Sequence, residues 1–252
     1  MAAVYILGNG QLGGMLLEAG RRLGISVVLL APEHPTTLPA DIIISAELEH
    51  WPDNSFTRQI QEHPGWLNAQ TFAQLTNRRQ QKTLLDVLGL PTARWLSTQA
   101  ETSMHTLHCT LGDDIFLKRS TGGYDGRGQC RIKRGTAGVL PEWLEDGIAE
   151  KRINFITEVS LIGARSKSGQ LTFYELTENF HANGILQISL KIPEKFQRYQ
   201  QDAERMLTVL MEHLDYTGVM AVEFFVTEDG LLINEIAPRV HNSGHWTQAG
   251  AS

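Results

Sequence analysis

The segment from residue 219 to residue 240 constrains the fold more than any other part of the chain, because it encodes a β-hairpin together with its register. Its first half alternates in hydrophobicity, as one arm of a half-buried sheet does. The loop Glu228–Gly230 then predicts a three-residue turn with glycine at its left-handed position. This turn pairs Thr227 with Leu231 and places Glu223 directly opposite Glu235, with their Cβ atoms about 5 Å apart.

The opposed carboxylates of Glu223 and Glu235 have two interpretations. They would repel by roughly 3 kcal/mol at an effective dielectric constant of about 20, which is large beside a total stability of about 5–15 kcal/mol. A divalent cation between them would turn the repulsion into binding, and Mg²⁺ typically takes one or two carboxylates plus substrate phosphates. On an exposed hairpin face both carboxylates would simply be solvated. The hairpin alone leaves both interpretations open.

The composition of this 252-residue chain is that of an ordinary globular protein, with 42% hydrophobic and 20% charged residues. Its net charge of −6 argues against a dedicated nucleic-acid-binding protein. No stretch approaches the roughly 20 apolar residues of a membrane span, and the chain enters a predicted strand at Val4–Leu7 without the pattern of a signal peptide. Cys109 and Cys130 lack metal-ligand spacing. We therefore expect a cytoplasmic protein that binds neither nucleic acid nor membranes.

The first ninety residues predict an α/β domain with a parallel, doubly wound sheet. Strands at 4–7, 25–30 and 41–44 alternate with a glycine turn, a helix and a proline-rich turn. A helix at 78–88 is ended by glycine and proline, and we place a domain boundary at 89–96.

The glycine turn after the first strand matches the dinucleotide fingerprint through Gly8, Gly10 and Gly13, with Glu33 about where a ribose-binding acid would lie. Its physical content is narrower, since such a turn brings backbone N–H groups at a helix N-terminus close to an anion. A nicotinamide cofactor, another phosphate, or a turn needed only for close packing would each fit.

A second glycine-rich loop, Ser120–Gly128, connects predicted strands at 115–118 and 129–132. Because it opens no helix, it fits neither a P-loop nor a Rossmann turn. Its glycines would free backbone N–H groups to surround a phosphate, and the loop could close over it. Basic residues surround it, namely Lys118, Arg119, Arg127, Arg131, Lys133 and Arg134. A solvated hairpin or a nucleic-acid-binding loop are alternatives, but two glycine loops and a carboxylate pair favour a polyphosphate with its metal.

Several motifs together make the chain resemble the ATP-grasp ligases. They are Lys118 with GGYDGRGQ at 122–129, the tetrapeptide Glu150–Ile153, AVEF at 221–224, and NEIAPRVHNSGHW at 234–246. The opening GNGQLG and the stretch PRVHNSGHWT are similar to the N5-carboxyaminoimidazole ribonucleotide synthase branch of this family. The resemblance implies a pre-ATP-grasp α/β domain at 1–95, then an ATP-grasp α+β domain at 96–252 with a small lid at about 105–155.

The same resemblance implies a set of binding residues, carried over by motif position. Glu223 and Glu235 would hold Mg²⁺. The residues implied to bind ATP are Arg78, Lys118, Gly123, Tyr124, Asp125, Gly126, Arg127, Gly128, Gln129, Glu150, Lys151, Arg152, Ile153, Glu158, His181, Asn234 and Glu235. Those implied for aminoimidazole ribonucleotide are Tyr124, Arg127, Arg239, His241, Asn242 and Ser243, with Arg127 and Arg239 as the catalytic residues.

The implied reaction uses ATP to convert bicarbonate to carboxyphosphate, which then carboxylates aminoimidazole ribonucleotide in purine biosynthesis, and the family implies a homodimer. The sequence departs from the family at Gly14, usually arginine, and at Ala237, where many ATP-grasp enzymes have a metal-ligating asparagine. A further C-terminal domain of the family is expected to be absent, which would leave nucleotide binding with little carboxylation. The alternatives are a formate-dependent glycinamide ribonucleotide transformylase and a non-catalytic ATP-binding fragment.

Overall fold

The structure is a computed structural model that describes residues 3–99, 101–123, 128–135, 142–182 and 184–250. Its N-terminal part begins with a strand, a helix, a second strand, a proline-rich turn and a third strand, as the sequence predicts, and continues with three helices. These elements are β1 (Val4–Leu7), α1 (Gln11–Leu23), β2 (Val27–Leu30), β3 (Ile43–Ala46), α2 (Ser55–Glu62), α3 (Ala69–Leu75) and α4 (Arg78–Val87). The strands form a parallel sheet in the order β2-β1-β3, which confirms the doubly wound arrangement.

Local sequence signals fix the ends of the two helices that matter for the site. Helix α1 ends at Gly24, which adopts the left-handed conformation with φ of 68°. Helix α4 begins after Asn77, whose side chain accepts a hydrogen bond from the backbone N–H of Gln80, and Gly89 follows its end with φ of 63°. The segment after α4 then crosses to the second part of the molecule.

The second part contains a small antiparallel sheet, which we call the lid sheet. Its elements are β4 (Trp95–Thr98), α5 (Met104–Leu111), β5 (Asp114–Arg119), β6 (Gln129–Lys133) and β7 (Gly147–Lys151). The strand order is β4-β7-β5-β6, and the glycine-rich loop joins β5 to β6 as predicted. Helix α5 packs on this sheet through Leu107 and Leu111. These two residues form a separate small core with Ile115 and Leu117 of β5.

A larger antiparallel sheet, which we call the large sheet, carries most of the remaining residues. Its elements are β8 (Thr157–Arg165), β9 (Leu171–Phe173), β10 (Thr177–Ala182), β11 (Ile185–Lys191), α6 (Pro193–His213), β12 (Gly218–Thr227) and β13 (Gly230–Ala237), followed by α7 (Thr247–Gly250). The strand order is β11-β10-β8-β12-β13, with β9 beside β8. Helix α6 covers one face and forms the main core with Val222 and Phe224. No helix among the described residues is long and apolar enough to cross a membrane.

The hairpin of β12 and β13 pairs Glu223 with Glu235 as predicted, but by a different route. The predicted three-residue loop is wrong, since Thr227 pairs with Gly230 and not with Leu231. From the turn to Phe224 the pairing of the two strands is therefore shifted by one residue from the predicted register. A bulge between Glu223 and Phe224 restores the predicted register. The extra residue lies on β13 at Asn234, because a β-bulge sets two residues of one strand against one of its partner.

Candidate active site

A cleft of about 510 Å³ lies between the lid sheet and the large sheet. We call it the main cleft. Most of the described residues that the sequence predicts as ligand-binding line it. They are Arg78, Lys118, Gly123, Gln129, Glu150, Lys151, Arg152, Ile153, Glu158, His181, Glu223, Asn234, Glu235, Arg239, His241 and Asn242.

Two described residues of the predicted set do not line the main cleft. Ser243 is buried, and its hydroxyl lies 3.0 Å from Nδ1 of His241, so that it orients His241 from behind. Gly128 accepts a backbone hydrogen bond from Arg119 at 2.8 Å and closes the base of the glycine-rich loop. The remaining predicted residues, Tyr124, Asp125, Gly126 and Arg127, lie outside the described residues.

The acidic end of the main cleft is built by the β12–β13 hairpin. Glu223 is only 8% exposed, which contradicts the interpretation of a fully solvated strand face. Burial, followed by the charge of Glu235, raises the pKa of Glu223 to about 8. His241 lies 4.0 Å from Glu223, but burial and Arg239 lower the pKa of His241 to about 4, so it carries no positive charge at neutral pH. His241 therefore supplies no counterion to Glu223.

This environment fits a divalent metal ion. Two carboxylates on paired strands, one of them buried and inclined to keep its proton, present oxygen ligands of the type that Mg²⁺ takes. Beside them, one ligand atom each of Glu158, His181 and Glu223 lie within 4.8 Å of one another. Nδ1 of His181 is 3.4 Å from Glu158, which raises the pKa of His181. Glu158 and Glu223 therefore converge on His181 at this point of the cleft, beside Glu235.

Arginines from two parts of the chain border the acidic end. Arg239 forms an ion pair with Glu49 at 2.7 Å, and burial raises the pKa of Glu49 despite this contact. Arg78 donates to the carbonyl of Gly123 at 3.3 Å and lies 3.7 Å from Glu235. Glu49 was not predicted, although a signal existed: it follows β3, and ligands of parallel sheets bind beyond the carboxyl ends of the strands.

The basic end of the main cleft contains a buried carboxylate with two ammonium groups. Glu150 on β7 lies 2.5 Å from Nζ of Lys118 and 2.6 Å from Nζ of Lys82. Burial alone would raise the pKa of Glu150, but the two lysines outweigh it and lower that pKa to about 2. Burial lowers the pKa of Lys82, and the ionised Glu150 opposes that shift. Lys82 was predicted only as part of a helix, because nothing local marks it as a partner of Glu150.

Two stacked phenylalanines line the main cleft together with the segment 150–153. The rings of Phe155 and Phe225 stack with centroids 4.7 Å apart and an angle of 15° between their planes, and both residues line the main cleft. A flat apolar surface inside a cleft is suited to a planar heterocyclic base. Neither phenylalanine was predicted as a site residue.

The N-terminal glycine turn contains an anion from the chain itself. The backbone N–H groups of Gly10 and Gly13 donate to the two carboxylate oxygens of Glu47, the latter at 2.6 Å. Glu47 is 6% exposed, whereas Glu33, the acid predicted for this turn, is exposed. Because these two donors are already satisfied within the chain, the contacts favour a turn that serves packing over one in which Gly10 and Gly13 hold a ligand phosphate.

A second cavity of about 390 Å³ lies between α1 and the large sheet. It is lined mainly by apolar side chains, including Leu12, Met15, Leu16 and Phe173. It lacks the convergent charged groups of the main cleft, so the chemistry of this molecule belongs to the main cleft.

Comparison with known proteins gives a consistent result. The family described as the ATP-grasp domain matches this sequence over residues 83–252. The N5-carboxyaminoimidazole ribonucleotide synthase of Escherichia coli K12 is 47% identical over 255 residues, an alignment that covers 100% of this chain and 72% of the relative.

Solved structures agree with that relationship. The N5-carboxyaminoimidazole ribonucleotide synthetase of Thermus thermophilus superposes with a TM-score of 0.81 at 31% identity, covering 98% of this chain and 74% of that one. The Staphylococcus aureus N5-carboxyaminoimidazole synthetase complexed with ADP gives a TM-score of 0.82 at 27% identity, covering 98% and 73%.

Proposed function

Since the chain belongs to the N5-carboxyaminoimidazole ribonucleotide synthase family of ATP-grasp ligases, we propose that it carboxylates 5-aminoimidazole ribonucleotide in purine biosynthesis at the expense of ATP. The observation that carries this proposal is the main cleft, in which a buried Glu223 paired with Glu235 lies opposite the lysines around Glu150. The negative charge of a polyphosphate complements the lysines, and its metal ion complements the two carboxylates.

The residues of the main cleft have complementary roles in this proposal. The base of ATP lies against Phe155 and Phe225 and along Glu150–Ile153, with Glu158 near the ribose. Lys118 and Arg78 meet the phosphates, where their charge stabilises the negative charge that develops during phosphoryl transfer. Glu223 and Glu235 hold Mg²⁺, which supplies electrostatic stabilisation of the phosphoryl group.

The proposed reaction has two steps. An oxygen of bicarbonate attacks the γ-phosphorus of ATP, the bond to the β-phosphate oxygen breaks, and ADP and carboxyphosphate form. The amine of aminoimidazole ribonucleotide then forms a bond to the carboxyl carbon, or to the CO₂ that carboxyphosphate releases, and phosphate leaves while the amine loses a proton. Arg239, beside Asn242 at the wall of the cleft, is suited to stabilise the carboxylate oxygens.

A phosphate-release assay with paired substrates tests the proposal. We expect release of phosphate from Mg²⁺-ATP that requires both aminoimidazole ribonucleotide and bicarbonate. Formate with glycinamide ribonucleotide should give only the background rate. Equal or faster release with formate would replace the proposal by a transformylase. We also propose a homodimer, as the family resemblance implies, which light scattering of the purified protein checks.

A further inference from the structure

We propose that Lys82 is a positioning residue for nucleotide binding: it is the permanent counterion of Glu150 and thereby leaves the ammonium group of Lys118 available for a nucleotide phosphate. The inference rests on the proposed function, because it assumes that the main cleft binds ATP. It concerns a residue that does not itself line the cleft.

The geometry assigns one carboxylate oxygen to each lysine. Oε1 of Glu150 lies 2.6 Å from Lys82 and Oε2 lies 2.5 Å from Lys118. Glu150 is buried on β7, so its charge must be compensated by groups of the protein. One anion with two cations leaves a surplus of one positive charge at this end of the cleft.

The two lysines differ in what holds them. Lys82 is 2% exposed on α4, and its ammonium group also donates to the hydroxyl of Thr92 at 2.5 Å. That hydroxyl in turn donates to the carbonyl of Ile233 at 2.6 Å, directly before the bulge at Asn234. Lys82 is therefore anchored on both the linker after α4 and the strand that carries Glu235.

Lys118, in contrast, faces the space that a ligand would occupy. It extends from β5 of the lid sheet, it lines the main cleft, and its side chain is 13% exposed. A small rotation of its long side chain is enough to exchange the Glu150 carboxylate for another anion.

The energetic role of Lys82 follows from this difference. If Lys118 were the only counterion of Glu150, moving it to a phosphate would leave a buried carboxylate unpaired, which is strongly unfavourable. Lys82 keeps Glu150 compensated during that exchange. The positive charge of Lys118 is thus available to the phosphates, with which it can form strong, charge-assisted hydrogen bonds.

Calorimetry with the variant Lys82→Met tests this role. The affinity for Mg²⁺-ATP should fall by about ten- to a hundredfold, the value of one charge-assisted contact. The affinity for adenosine, which has no phosphate, should change by less than about twofold. Lys167→Met removes an exposed lysine in a turn and should change neither affinity.

The double variant Lys82→Met, Glu150→Gln separates positioning from a merely structural role. Neutralising Glu150 makes Lys118 available again. The affinity for magnesium triphosphate, which lacks the base, should therefore fall in Lys82→Met and recover in the double variant by at least half of that loss on a logarithmic scale. A structural role predicts equal losses for ATP and adenosine and no recovery. Either of those results would overturn the inference.

If Lys82→Met does not fold, NMR of the lysine ammonium groups in the wild-type protein tests whether Lys82 stays in place while Lys118 binds the nucleotide. On addition of Mg²⁺-ADP, the Nζ resonance of Lys118 should shift while that of Lys82 stays in place, with Lys118→Arg giving the assignment. Equal shifts of both resonances would contradict a fixed Lys82. If the wild-type protein binds no nucleotide, the proposed function fails as well. If it binds nucleotide and Lys82→Met binds equally well, only the role of Lys82 fails.

Discussion

Two buried glutamates that line one cleft have opposite acidities. Glu150 is 4% exposed and Glu223 is 8% exposed, so burial disfavours the charged form of both. The pKa of Glu150 is nevertheless lowered to about 2, because Lys118 and Lys82 outweigh its burial. The pKa of Glu223 is raised to about 8, because burial and the adjacent Glu235 act in the same direction.

The protein thus neutralises one carboxylate with its own groups and leaves the other available to a ligand. Glu150 has two lysine counterions within the protein, and Glu47 accepts hydrogen bonds from two backbone N–H groups of the glycine turn. Glu223 instead pairs with the carboxylate of Glu235 and has the neutral His241 nearby, while His181, whose pKa is raised, is shared with Glu158. A carboxyl group whose ionisation the protein compensates poorly is where a metal cation gains most by binding, because the cation takes the place of the proton.

The largest expected effect is on stability, from Glu150→Gln. The change leaves the buried ammonium group of Lys82 and the partly buried one of Lys118 without this anion, and removal of one partner from a buried pair costs about 3–5 kcal/mol. Denaturant unfolding at pH 7 measures it. Because the folded-state pKa of Glu150 is depressed, this stabilisation is present above about pH 4.5 and is lost as the pH falls toward 2. Glu228→Gln, an exposed residue of the hairpin turn, is the control, and an equally small effect of both would contradict the account.

The second effect is on activity, from Glu235→Gln. Removing one of two metal-binding carboxylates should lower Mg²⁺-dependent ATP turnover by about a hundredfold or more. The fold without metal should be unchanged or slightly more stable, since the variant relieves repulsion with Glu223. Phosphate release and thermal unfolding measure the two properties. Turnover at the wild-type rate would exclude Glu235 as a metal ligand.

The third effect is a pH dependence, from Glu223→Gln. A carboxyl whose pKa is raised on folding stabilises the protein below its unfolded pKa, and the contribution is lost as the pH rises toward 8. The free energy of unfolding of metal-free wild-type protein should therefore fall relative to Glu223→Gln by about 1–3 kcal/mol between pH 5 and pH 8. Saturating Mg²⁺ should remove much of that difference. A constant difference across this range would show that Glu223 titrates normally.

The smallest effect concerns the glycine turn, from Glu47→Gln. The amide keeps one acceptor for Gly10 or Gly13 but loses the negative charge, so stability should fall by about 1 kcal/mol. Mg²⁺-ATP affinity should not change, because Glu47 does not line the main cleft. A large loss of nucleotide affinity in a variant of normal stability would mean that the turn belongs to the nucleotide site.

Local patterns in the sequence determined the elements and several of their contacts. The alternation and turn of residues 219–240 predicted the hairpin and the opposition of Glu223 and Glu235. Glycines at the predicted ends of α1 and α4 end those helices in the structure. The motifs of the second half indicated the ATP-grasp family, and the match of that family over residues 83–252 confirms it. These signals are readable because each depends on neighbours within one or two elements.

Only the tertiary structure decided how each charge is compensated. The sequence does not show that Glu47, 37 residues away, satisfies Gly10, or that Lys82 reaches Glu150 and Glu49 reaches Arg239. Nor does it show that a bulge, not the predicted turn, restores the register of Glu235. The physical reason is that a pKa depends on burial and on charges brought together by folding, whereas sequence periodicity reports only which face a residue lies on. The same residue type therefore became a structural anion at Glu150 and a candidate metal ligand at Glu223.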